Sequence, residues 1–228
     1  GGDVMASERI WRAVRRLAER KPVVVSMGQV AASGGYYIAA PAHAIFAEPN
    51  SITGSIGVFA LIPDISGLYE MFGIGTEIEK RGEQADWNSE TIALRDNDRA
   101  ALTKALEHYY SVFIDRVAQG RNMKPERVRE IAGGRVYTGN KARQLGLVDQ
   151  FGGLLEAVEA AANKAGLAPN RYVVEFSERA LGKRSLIDLV SASREENTVT
   201  RAWEYIESVR KLSRLPLALM PQWYEVDP

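Results

Sequence analysis

The 228-residue chain contains no cysteine. This absence excludes disulfides, thiolate catalysis and cysteine-based zinc sites. The chain has only two histidines, His43 and His108, which excludes a metal site built from several histidines. Nothing else in the sequence indicates a metal or a cofactor, and we predict that the protein uses neither.

Neither sign of charge predominates, because Lys+Arg and Asp+Glu each number 29 and the formal net charge is zero. Surfaces that bind nucleic acid usually show an excess of basic residues, so no nucleic-acid partner is expected. No apolar run approaches the roughly 20 residues that a membrane-spanning helix needs, and no signal peptide pattern is present.

The length suits one sizeable domain, or one domain with an appendage. Apolar spacing predicts helices over residues 3–20, 35–40, 66–73, 97–118, 125–132, 140–145 and 154–165. Short β-branched or apolar runs predict strands over residues 23–27, 43–47, 75–80, 136–139, 147–149 and 172–176. The alternation of the two patterns is typical of an α/β domain.

The composition changes after Ser177. Residues 178–214 are charged with helical spacing, and residues 215–224 are apolar and interrupted by prolines. We therefore predict a first domain over residues 1–176 and a helical extension with an apolar tail over residues 177–228. The tail could be core, a subunit contact or a membrane-surface contact, and we favour the subunit contact.

Residues 23–40 contain a candidate catalytic serine. A β-branched strand start at Val23 is followed by the small residues 31–35, with Ser33 among them, and then by a helical pattern. Backbone without bulky side chains can approach a substrate closely, and the N–H groups that open a helix could stabilise an oxyanion. An alternative stays open, because serine is also a favoured N-cap of ordinary helices.

A serine nucleophile needs a base, and His43 is the first candidate along the chain. It lies ten residues beyond Ser33, past the predicted helix and at the start of the next predicted strand. This position favours a structural residue at a strand end over a general base.

Several blocks in order resemble the signal peptide peptidase A family, also called protease IV, of serine proteases with a Clp/crotonase-like fold. The resemblance covers roughly residues 1–166, and the blocks are Gly1–Asp3, Lys21–Gly28, Ala31–Tyr36, Thr53–Gly57, Arg135–Gly139 and Leu145–Asp149. It implies a superhelix of strand–strand–helix units. It also implies that Ser33 is the nucleophile, that Gly34 and Gly1 or Gly2 provide the oxyanion N–H groups, and that Ser55 hydrogen-bonds a lysine base.

The lysine itself is not where short members of the family carry it. That position holds Ala85, while Lys80 precedes Gly82 and would point elsewhere. Long members carry two copies of the fold, with the lysine in the N-terminal copy and the serine in the C-terminal one. We therefore interpret the chain as an N-terminally truncated C-terminal half, whose base comes from the N-terminal half of the same protein or from another protomer.

The resemblance also implies substrates, partners and location. Hydrophobic peptides such as cleaved signal peptides would bind a groove near the apolar residues 58–62, and the protein would be a homo-oligomer. It would be associated with the bacterial inner membrane and face the periplasm or the cell exterior. Two rival functions are a crotonase-like acyl-CoA enzyme and a non-catalytic scaffold half, and Ala85 favours the scaffold.

Overall fold

The computed structural model describes residues 1–168 together with a two-residue strand at 217–218. In chain order its elements are β1 (Gly2–Asp3), α1 (Val4–Ala18), β2 (Val24–Ser26), β3 (Val30–Ala32), α2 (Gly34–Ala39), β4 (Ala44–Ala47), β5 (Ile52–Gly54), α3 (Ser66–Met71), α4 (Asp96–Arg121), α5 (Pro125–Ile131), β6 (Val136–Thr138), α6 (Gly139–Gln144), β7 (Gln150–Phe151), α7 (Leu154–Lys164) and β8 (Leu217–Ala218).

The strands form two three-stranded sheets from successive strand–strand–helix units. In the units β2-β3-α2 and β4-β5-α3, the first strand enters one sheet and the second strand enters the other. β7 completes the first sheet, whose order is β2-β4-β7 with parallel pairings. β6 completes the other sheet, whose order is β3-β5-β6, and it runs antiparallel to β5. This repeated arrangement confirms the predicted α/β fold of the Clp/crotonase-like class.

The main core surrounds α2, which packs between α1 and α4. Tyr36 and Tyr37 on α2 are buried, and the Tyr37 ring packs on Phe113 of α4 at a centroid distance of 4.6 Å. The Tyr36 hydroxyl donates a hydrogen bond of 3.0 Å to the carbonyl of Leu147. The short helix after Ser33 is therefore fixed on both sides by buried aromatic side chains.

Two strand predictions are wrong. Residues 75–80 form no strand and are exposed throughout, because a favourable local sequence makes no strand without a neighbouring edge to pair with. The strand predicted at 147–149 lies instead at Gln150–Phe151. Just before this strand, the Asp149 N–H donates to the Ile45 carbonyl at 2.9 Å, but the Ile45 N–H donates to the Asp149 carboxylate at 2.8 Å. Regular strand pairing therefore begins one residue later, at Gln150.

Several predictions lie outside the described residues. These are the strand at 172–176, the domain boundary at 176 and the helical segment over 178–214. Of the apolar tail only β8 is described, and it pairs antiparallel with β1, with Gly2 opposite Ala218. Among the described residues, no helix is both long enough and apolar enough to cross a membrane.

Candidate active site

Ser33 is the single residue between the end of β3 and the start of α2. Its N–H donates a hydrogen bond of 2.9 Å to the carbonyl of Gly54, the last residue of the parallel neighbour β5. Thr53 of β5 lies opposite Ala31 of β3, and its hydroxyl donates to the Ala31 carbonyl at 2.7 Å. This hydrogen bond fixes the two strands to each other. Two parallel strands therefore end side by side at Ser33.

The backbone of Ser33 is strained. Its φ of 53° and ψ of −117° lie in a region that residues with a Cβ rarely adopt. Such a conformation costs on the order of 1–3 kcal/mol and persists only where the surrounding structure enforces it. Strained residues of this kind cluster at functional sites, which makes Ser33 a functional candidate.

The hydroxyl of Ser33 is buried and unpaired. Ser33 is 1% exposed, and its Oγ has no hydrogen-bond partner in the described part of the chain. Although Ser33 occupies the N-cap position of α2, its side chain makes no capping hydrogen bond. An unpaired buried hydroxyl costs about 1–3 kcal/mol, so the ordinary N-cap alternative does not explain this serine.

Gly34 brings the chain start next to Ser33. A Cβ on Gly34 would lie 2.8 Å from the backbone nitrogen of Gly2 and 3.3 Å from the carbonyl carbon of Gly1. It would also lie 2.8 Å from the hydroxyl of Ser7, a buried residue of α1 that the sequence did not indicate. Only a glycine fits this approach, which places the backbones of Gly1, Gly2 and Gly34 together.

Ser55 occupies the position beside Ser33 at the end of β5. It is buried, has a φ of 49°, and donates its N–H to the Arg135 carbonyl at 2.7 Å. The preceding Gly54 has a φ of 79° and packs closely on Tyr137. All five site residues predicted from the sequence, Ser33, Gly34, Gly1, Gly2 and Ser55, are thus gathered at one end of the β3–β5 pair.

His43 and Lys80 make other contacts. The Nδ1 of His43 accepts the N–H of Val23 at 3.1 Å, which fixes His43 at the start of β4 as predicted. The Nζ of Lys80 donates to Asp86 at 2.9 Å and to the Glu83 carbonyl at 3.3 Å. In the described part of the chain, no lysine amine hydrogen-bonds to Ser33 or Ser55.

A charged cluster holds α1, and with it the chain start, on the core. Glu8 accepts hydrogen bonds from Tyr37, Arg12 and Arg116, and the Arg116 guanidinium lies 4.4 Å from the ring centroid of Trp11. Burial alone would raise the pKa of Glu8, but these hydrogen bonds outweigh burial and lower it to about 2. Nothing in the sequence links Glu8 to Arg116, because 108 residues separate them.

Comparison with known proteins identifies the family. The model of Peptidase family S49 matches residues 15–168. The chain belongs to peptidase family S49. This finding confirms the resemblance that the sequence motifs indicated.

Among the described residues no group of three or more His, Asp or Glu side chains could hold a metal ion.

Two curated relatives of this S49 chain are proteases by name. The chloroplast serine protease SPPA of Arabidopsis thaliana is 41% identical over 192 residues, which cover 84% of this chain and 28% of that protein. Protease 4 of Salmonella typhi is 42% identical over 169 residues, which cover 73% of this chain and 27% of that protein. The chain thus spans little more than a quarter of the length of either relative.

Among solved structures, a membrane-bound stomatin-specific protease in complex with a substrate peptide is similar over 82% of this chain and 77% of its own. The sequence identity is 18% and the TM-score is 0.43.

Proposed function

We propose that this S49 chain carries the nucleophile of a serine peptidase, with Ser33 in that role. The observation that carries the proposal is the strained backbone of Ser33 together with its buried, unpaired Oγ. Membership of a peptidase family supports it independently.

In the proposed reaction, Ser33 Oγ attacks the carbonyl carbon of the scissile peptide bond and gives its proton to a lysine amine. The N–H of Gly34, in the first turn of α2, has no acceptor within the helix. Together with an N–H of Gly1 or Gly2 it would hold the negative oxygen of the tetrahedral intermediate. The C–N bond then breaks, the leaving amine takes the proton, and water hydrolyses the acyl ester on Ser33.

The lysine is proposed to come from outside this chain, from a second copy of the fold. Lys80 is held by Asp86 and Glu83, and Ala85 lies exposed in the loop where a lysine was expected. Ser55 is buried beside Ser33 and would orient the incoming amine. A serine hydroxyl without such a base is a poor nucleophile at neutral pH.

The proposed substrates are hydrophobic peptides, including cleaved signal peptides. Phe59 and Leu61 lie exposed a few residues beyond Ser55 and could line an apolar groove. Association with the bacterial inner membrane, facing the periplasm or the cell exterior, is part of this proposal. A relative named Protease 4 in Salmonella typhi fits a bacterial setting.

A non-catalytic scaffold is the second candidate, and Ala85 is the residue that favours it. A scaffold has no need of a strained, unpaired serine, since relaxed backbone and a paired hydroxyl would be more stable. The acyl-CoA alternative has less support, because the family that matches the chain is a peptidase family.

The test is peptide cleavage by the chain combined with a lysine-bearing copy of the fold. Ser33→Ala is expected to abolish turnover of hydrophobic peptides without a change in folding. Ser51→Ala is the matched control, because Ser51 is also buried but its hydroxyl donates to Gly28 at 2.8 Å and accepts from Glu48. Turnover by Ser33→Ala within a few-fold of the wild type would rule out the nucleophile assignment.

A further inference from the structure

A cleft at the start of α4, here called the acidic cleft, has a volume of about 370 Å³. Its walls hold three carboxylates, one guanidinium and two side-chain amides, which belong to Glu83, Asp96, Asp98, Arg95, Gln84 and Asn97. The cleft is therefore negative, although the formal net charge of the whole chain is zero.

Asp98 is the buried member of this set, and one of its carboxylate oxygens is unpaired. The residue is 4% exposed, and its Oδ2 accepts the Nε–H of Arg95 at 2.6 Å. Its Oδ1 has no hydrogen-bond partner within residues 1–168. A buried carboxylate oxygen without a donor is costly, and such an atom calls for an explanation. The unpaired Oδ1 indicates a ligand that supplies the donor.

The nearby basic side chains are already engaged. Arg95 and Lys80 both donate to Asp86, at 2.7 and 2.9 Å. Glu83 and Asp96 are exposed and pair with no basic side chain in the part of the chain that the structure describes. The negative charge of the acidic cleft is thus available to an incoming cation.

An organic cation suits the acidic cleft better than a metal ion. Nowhere among residues 1–168 do three or more His, Asp or Glu side chains gather closely enough to hold a metal. An ammonium or guanidinium group carries several N–H donors. These donors can reach Oδ1 of Asp98 and a second carboxylate at separate points, in charge-assisted hydrogen bonds.

We infer that the acidic cleft binds the basic N-terminal residues of a signal peptide, an inference that rests on the proposed peptidase function. Signal peptides begin with positively charged residues, which roughly 7–15 apolar residues follow. The cleft would hold the basic start of such a peptide. The exposed Phe59 and Leu61 would contact its apolar part, and the bond to be cleaved would lie at Ser33.

The length of α4 suits such a peptide. Asp98 lies fifteen positions before Phe113 on this helix, which corresponds to about 22 Å. Phe113 packs on Tyr37, one helical turn beyond Ser33. An extended peptide covers that length with about seven residues at roughly 3.3 Å each. One bound peptide can therefore place a basic group in the acidic cleft and an apolar stretch near Ser33.

The experiment compares the affinities of two fluorescent peptides for the full chain by anisotropy. Both peptides carry the same apolar stretch of about ten residues, but one begins with two lysines and the other with two glutamines. The chain carries Ser33→Ala, so that neither peptide is cleaved. We expect the lysine peptide to bind about tenfold more tightly, with a smaller difference at high salt.

Two variants of this parent chain assign the preference to the acidic cleft. Asp98→Asn, and separately Glu83→Gln with Asp96→Asn, should each reduce the preference for the lysine peptide to about twofold or less. The double variant changes only exposed side chains, so it tests the cleft even where Asp98→Asn unfolds the protein. The matched control is Glu107→Gln with Asp115→Asn, which removes two exposed carboxylates elsewhere on α4 and should keep the tenfold preference.

Equal affinities of the two peptides for the parent chain would overturn the proposal. A preference that survives in both cleft variants would also overturn it, as would a control variant that reduces the preference equally. The readout is peptide affinity without turnover, whereas cleavage by the chain with a lysine-bearing copy of the fold tests Ser33. A failure of the cleft assignment is thus distinguishable from a failure of the proposed function.

Discussion

The end of the β3–β5 pair and the segment that follows it, residues 58–94, differ sharply in packing. Ser33, Thr53 and Ser55 are buried, and neighbouring backbones approach too closely there for any side chain on Gly34. Beyond Gly57 the chain runs for some forty residues without burying one. The candidate nucleophile is therefore held rigidly, while the segment where a short-form base would lie contains no buried residue.

This contrast supports the proposal that the chain carries a preorganised serine whose base comes from outside it. Strain at Ser33 persists because α2, α4 and the two sheets enforce it. A lysine within residues 58–94 would have no comparable support, since neighbouring packing is what lowers a lysine pKa by desolvation. The geometry thus agrees with a base that a second copy of the fold would bring.

Truncating one phenylalanine in each region gives the largest expected difference. Phe113 is fully buried and Phe72 is 69% exposed. Phe113→Ala should lower the free energy of unfolding by about 3–5 kcal/mol, because it leaves a cavity in the core. Phe72→Ala should change it by less than about 0.5 kcal/mol. Urea unfolding of dilute protein measures both, and equal losses would contradict the contrast in packing.

Adding one methyl group at either of two adjacent glycines tests the close approach at the site. Gly34→Ala places a Cβ against Gly2 and Ser7, so it should cost about 1–3 kcal/mol and displace the chain start. Gly35→Ala meets no atom within 4 Å and should stabilise α2 by about 0.5–1 kcal/mol. Thermal unfolding compares the two variants, and a Gly34→Ala variant as stable as Gly35→Ala would show that the approach is looser than described.

Acid should weaken the attachment of α1 through Glu8. The pKa of Glu8 falls from 4.5 to about 2 on folding, so the stabilisation is complete above pH 4.5 and is lost as the pH falls from there towards 2. With allowance for solvent screening, Glu8→Gln should cost about 1–2 kcal/mol at pH 7 and little at pH 2. Urea midpoints across this range measure the difference. Glu107→Gln serves as the control, because Glu107 is exposed. If the difference in unfolding free energy between Glu8→Gln and the wild type did not change with pH, the carboxylate would be excluded as the cause.

The smallest effect expected is the release of strain at Ser33. Ser33→Gly and Ser33→Ala both remove the hydroxyl, but only glycine tolerates a φ of 53° without cost. Glycine relieves the backbone strain of the folded state, but it also gives the unfolded chain more conformational entropy, which offsets part of that gain. Ser33→Gly should therefore be more stable than Ser33→Ala by about 1 kcal/mol. Calorimetry of the two variants checks this, and a more stable alanine variant would argue against strain.

The Ser33 turn and the helix after it could be predicted from the sequence, because small residues around a serine precede a helical pattern. The strand β3 was missed, since Ala31 and Ala32 belong to it and not to the turn. The approach of Gly2 to Gly34 followed only from the resemblance to a family. Ser7 and the Glu8–Arg116 pair could not be predicted, since their partners are distant in the chain. Residues 75–80 show why a strand cannot be predicted from a short local run alone, because pairing also depends on a neighbouring edge.

The central claim is that Ser33 is the nucleophile and that its base lies outside this chain. The most direct measurement is the rate at which a serine-directed phosphonate labels Ser33, located by mass spectrometry. The chain alone should react slowly, and addition of a lysine-bearing copy of the fold should accelerate labelling by about 10²- to 10⁴-fold. Fast labelling of the isolated chain that is lost on Lys80→Ala would contradict the account, because the base would then lie within this chain.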